Sequence, residues 1–105
     1  MLPRYLDTEI VMSETLLIER AQTGVRLEKS MLKVLKGLAE YLEISLGDLL
    51  EGIILHAFEG RSAFEGKPQL LETITSLRGV YGMSYDAEFA HKLVEAVGEV
   101  SDERR

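Results

Sequence analysis

The chain has 105 residues, 46% of them hydrophobic, no cysteine and no tryptophan, and its 12 basic against 18 acidic side chains give a net charge of −6. That length points to one domain and that hydrophobic content excludes wholesale disorder; the absence of cysteine excludes disulfides, thiolate metal sites and cysteine nucleophiles. No apolar run approaches the ~18 residues of a membrane span, and Asp7, Glu9, Glu14 and Glu19 are wrong for a secretory signal, so the expected location is cytoplasmic, with no membrane partner.

Residues 1–21 read as an N-terminal arm. Its apolar runs, Ile10-Val11-Met12 and Leu16-Leu17-Ile18, suit either a strand or a buried helix, and periodicity does not separate the two. Ser13 could cap a short helix over Glu14–Ala21, or it could lead straight into an extended strand. The expectation is a loosely packed arm with one short element.

Residues 22–60 carry the clearest pattern. Val25 and Leu27 alternate with Gly24 and Arg26, the period of a strand with one apolar side. From Met31 the apolar positions become Met31, Val34, Leu35, Leu38, Ala39 and Leu42, an amphipathic helical stripe. Ser45, three residues before Asp48, resembles a capping box with Asp in place of Glu or Gln. It opens a second helix with Leu46, Leu49, Leu50, Ile53, Ile54, Ala57 and Phe58 on one side and Gly60 as its stop. Gly37 and Gly52 fall inside these helices, where each costs about 1 kcal/mol against Ala; close helix–helix approach at a dimer interface and tolerated surface glycine both explain them. A lone strand has no ladder partner for its N–H and C=O groups. The simplest remedy is a second copy of the chain, strand beside strand across a two-fold axis.

Residues 61–68 read as a linker. Pro68 suits the first turn of a third helix that runs to about Arg78, buries Leu70, Leu71, Ile74 and Leu77, and stops near Gly79. Val80 to Met83 is a turn. Ser84 or Asp86 then caps a fourth helix through Val97 with Phe89, Ala90, Leu93, Val94 and Val97 inward. Together they make a C-terminal helical extension over 69–98, and residues 99–105 form a frayed tail.

The order strand, helix, turn, helix over residues 22–58, about a third of the chain, resembles the ribbon-helix-helix (Arc/MetJ-type) DNA-binding family. The resemblance rests on element order, lengths and apolar positions. It implies a mainly α fold: a ribbon-helix-helix dimer, with additional C-terminal helices here. It further implies a homodimeric transcriptional regulator whose paired strands enter the major groove of double-stranded DNA. The matching reading positions are Gln22, Gly24 and Arg26. Lys29 and Lys33 would meet flanking phosphates, and the start of the second helix at Ser45 would hold another through backbone N–H groups. Val25, Leu27, Leu35, Leu38, Leu50, Ile53 and Ile54 would form the dimer interface. Residues 69–98 would pack on this unit or take a protein partner.

Charge is distributed in keeping with that reading. Between Gln22 and Leu38 four basic residues, Arg26, Lys29, Lys33 and Lys36, face one acidic residue, Glu28. Four positions depart from the family pattern. Gly24 offers no side chain to a base. Glu28 stands where proline is frequent. Glu43 occupies a helix exit that favours Gly or Asn. Glu43 and Asp48 put carboxylates beside the helix start that should meet a phosphate, whose dipole is equivalent to only about half a charge. These departures, with the acidic balance, define the alternative: a ribbon-helix-helix-like dimeric protein-interaction module that does not bind DNA.

Enzyme chemistry is not expected. His56 and His91 lie on separate predicted helices without a metal-binding partner at helical spacing, the serines sit in cap-like or tail contexts, and no phosphate-binding glycine loop occurs. The scattered Tyr5, Tyr41, Tyr81 and Tyr85 form no stacking platform for single strands. No catalytic residue, metal or cofactor is therefore assigned.

Overall fold

The computed structural model describes residues 15–96. The expectations for residues 1–14, for the end of the fourth helix at Val97 and for the tail at 99–105 lie outside the described residues. What is described is mainly helical: α1 over Lys29–Leu42, α2 over Leu46–Phe58 and α3 over Pro68–Tyr81.

α1 starts where an unusual cap allows it. Glu28 is extended at φ −58, ψ 141, and its carboxylate accepts from the N–H groups of Ser30 and Met31. Those are two of the four donors that every helix start leaves without an intrahelical partner. The helix ends at Glu43, in the left-handed region at φ 61, ψ 41. Glu43 N–H donates to Glu40 and Ile44 N–H to Ala39, which closes the last turn. A residue with a Cβ is strained in that region, so Glu43 is held there by the αα turn into α2.

α2 begins as the capping pattern predicts: Ser45 Oγ accepts from Asp48 N–H at 3.0 Å. α3 begins at Pro68, which needs no N–H partner. It runs past Gly79 to Tyr81, because Gly82 supplies the left-handed exit at φ 71. Gly82 N–H then reaches Gly79 and Met83 N–H reaches Arg78.

The core is small and lies within one chain. Leu38, Ala39 and Leu49 are buried together, Leu38 to 2% exposure, and Leu35, Leu42, Ile53, Phe64, Leu70, Ile74 and Leu77 pack around them. α3 thus covers α1, where a second copy was expected. Leu35, Leu38 and Ile53 spend their apolar surface inside the chain. Phe64 makes the linker part of the core. Leu71, expected inside, is exposed. Gly37 marks the close approach of α1 to α3: a Cβ there would stand 3.0 Å from Leu77 Cδ2, while nothing lies within 4 Å of one at Gly52.

Two expectations are corrected. The fourth helix is not formed. Asp86 caps a 3₁₀ turn of three residues, Ala87–Phe89, after which Ala90 is extended and His91 turns to φ 66. A helix of this length is marginal without a face to bury, and α3 already covers α1; Phe89, Leu93 and Val94 remain exposed. Nor do residues 15–21 form the short helix offered as one option for the arm. Residues 15–28 have no regular secondary structure, and among the described residues no backbone hydrogen bond involves residues 15–27. The strand expected at 24–27 is not formed by a single chain.

Candidate nucleic-acid interface

The segment that the sequence marks as a reader lies on the surface. Gln22, Gly24, Val25, Arg26 and Leu27 are all exposed, Val25 to 73%. Lys29 and Lys33 follow on the first turns of α1, also exposed, and Ser45 is exposed at the start of α2. Of the residues expected at a dimer interface, Val25, Leu27 and Ile54 are exposed and Leu50 is half-buried, whereas Leu35, Leu38 and Ile53 belong to the intrachain core.

Both arginines that precede α1 among the described residues hold carboxylates. Arg20 grips Glu51 of α2 through Nε at 2.9 Å and Nη2 at 2.8 Å, and this bond holds the Glu51 carboxyl below its ordinary range. Arg26 pairs with Glu95 at 2.5 Å. Both pairs are solvent-exposed, where ion pairs contribute little to stability and yield to salt and competitors. Lys29, Lys33 and Lys36 form no ion pair among the described residues. Lys33 Nζ instead lies 6.0 Å from the centre of the Tyr81 ring on α3.

Glu28, the acidic intruder in this basic stretch, is the best-satisfied carboxylate of the site. It accepts from Ser30 Oγ at 2.6 Å, Ser30 N–H at 2.9 Å, Met31 N–H at 3.0 Å and Tyr85 Oη at 2.6 Å. The Ser30 hydroxyl, then Tyr85, then the two backbone donors outweigh burial and hold its carboxyl at about 2. Burial, reinforced by the Glu28 carboxylate, pushes the Tyr85 phenol up to about 12. Glu28 is therefore an ionised cap whose charge is spent on four donors.

Sequence reasoning marked Gln22, Gly24, Arg26, Lys29 and Lys33 but missed Arg20, Glu51, Tyr85 and Glu95. These partners are 31, 57 and 69 residues apart in the chain, and no local spacing carries that signal. The Glu28 cap was within reach: Glu28 stands three residues before Met31, where the helical stripe begins.

Among the described residues no group of three or more His, Asp or Glu side chains is placed to hold a metal ion. No helix there is long and apolar enough to cross a membrane. Comparison with protein-family models, with curated proteins and with solved structures found no match.

Proposed function

We propose that two copies of this chain pair through residues 24–27 as a ribbon-helix-helix dimer, and that the paired ribbon binds double-stranded DNA as a transcriptional regulator. The observation that carries the reading is the segment that precedes α1. An exposed segment without backbone partners leads directly into two helices joined by a tight turn. Peptide groups of an extended segment are best satisfied by a neighbouring strand. A second copy offers an identical one, and it would also cover apolar side chains that one chain leaves open, among them Val25, Leu27, Ile54, Leu55 and Phe58.

In the paired form Gln22 and Arg26 of both chains face the major groove, where Gln suits adenine and Arg suits guanine. Lys29 and Lys33 meet flanking phosphates, and the N–H groups after Ser45 take another. The test is DNA affinity of the wild type and of Arg26→Ala across a salt series. Expected is binding that weakens steeply with salt, and a loss of about 1–3 kcal/mol in Arg26→Ala on a preferred site. A wild type that binds no duplex at low ionic strength would end the reading.

One set of observations favours a second reading, a dimeric module that binds protein rather than DNA. The net charge is −6, and Arg20 and Arg26 already hold carboxylates. A stable dimer with no affinity for duplex DNA in the same titration selects it.

A further inference from the structure

α3 and the chain beyond it follow an ordered path back along α1 and past its start. Gly37 lies against Leu77, Lys33 against Tyr81, Glu28 against Tyr85 and Arg26 against Glu95. The residue numbers fall on one side as they rise on the other, so α3 and the segment after it run antiparallel to α1 and on to the arm. The segment is anchored before it reaches Arg26. Arg78 donates to the Tyr85 carbonyl, the Tyr85 hydroxyl donates to Glu28 at 2.6 Å, and the Tyr85 and Phe89 rings meet edge to face at 6.5 Å.

We propose that residues 82–96 are an autoinhibitory strap, in which Glu95 is a built-in counter-ion that nucleic acid must displace from Arg26. The inference rests on the DNA-binding reading. A guanidinium that binds phosphate or a guanine edge attracts a carboxylate with the same donors; Glu95 holds one of them, Nη2, and its negative charge opposes an anionic phosphate at the others. Anchoring at Tyr85 keeps the Glu95 carboxylate at a high local concentration beside Arg26, as a short tether does for any intramolecular ligand. The pair is open to exchange, since its side chains are 83% and 69% exposed. Its effect is accordingly a modulation of about two- to fivefold, the range of an exposed ion pair.

The experiment is a fluorescence-anisotropy titration of the full chain on a mixed-sequence duplex at low salt. Five proteins are compared: wild type, Glu95→Gln, Glu88→Gln, Tyr85→Phe, and Glu95→Gln combined with Arg26→Ala. Glu88 lies in the same strap and forms no ion pair among the described residues, so Glu88→Gln isolates the general effect of losing one negative charge. Expected is tighter binding by Glu95→Gln, about two- to fivefold beyond Glu88→Gln. Tyr85→Phe should share part of that gain, and none should survive without Arg26. Equal affinities for Glu95→Gln and Glu88→Gln, or a gain that persists in the Arg26→Ala background, overturn the strap and leave DNA binding standing. Absence of binding by every protein, wild type included, overturns DNA binding and the strap together.

Discussion

The Tyr85 hydroxyl donates a 2.6 Å hydrogen bond to Oε1 of Glu28, joining residues 57 apart in the chain. One end of this bond is the cap of α1 and the other is the segment that follows α3. It therefore ties the start of α1 to the segment that follows α3.

That bond is strongest with an ionised Glu28 and needs a protonated Tyr85, which sets a pH window. The Glu28 carboxyl is lowered from 4.5 to about 2 on folding, so its contribution is present above 4.5 and is lost as pH falls toward 2. The Tyr85 phenol is raised from 10.0 to about 12, so its contribution is present below 10 and is lost as pH rises through 12. Urea unfolding as a function of pH should show both flanks. The difference between wild type and Glu28→Gln should shrink on the acid side, and that between wild type and Tyr85→Phe on the alkaline side. A difference that does not vary with pH would mean that the bond does not persist in solution.

Glu43 supplies a second test. Its left-handed backbone, φ 61 and ψ 41, is unfavourable for any residue with a Cβ and open to glycine. Glu43→Gly should raise stability by about 0.5–1 kcal/mol, after allowing for the greater freedom of glycine in the unfolded chain. Chemical denaturation measures it; a destabilised variant would show that the Glu43 side chain has a role beyond the turn.

Gly37 and Gly52 should answer differently to the same change. Each glycine costs its helix about 1 kcal/mol relative to alanine. At Gly52 an added Cβ meets nothing within 4 Å, whereas at Gly37 it would stand 3.0 Å from Leu77 Cδ2. Gly52→Ala should therefore stabilise one chain more than Gly37→Ala does, and Gly37→Val should cost about 1–3 kcal/mol by forcing α1 and α3 apart. Equal responses at the two sites would show that α1 and α3 do not approach so closely.

Local rules determined a good deal here. The change of apolar period at Ser30, the Ser45 cap and the proline at position 68 set α1, α2 and the start of α3, because capping and periodicity act between residues three or four apart. The exposure of Gln22, Gly24, Arg26, Lys29 and Lys33 agrees with the same reading, whereas Val25 and Leu27, expected beneath a second copy, are open in one chain. Three outcomes were decided only in three dimensions. Gly82 rather than Gly79 ended α3, since either glycine could supply the exit. The apolar pattern after Asp86 formed no helix, because amphipathicity creates a helix only where there is a surface to bury it against, and α3 had taken that surface. Carboxylates from distant parts of the chain met Arg20 and Arg26, since a charge carries no record in sequence of which opposite charge the fold will bring to it.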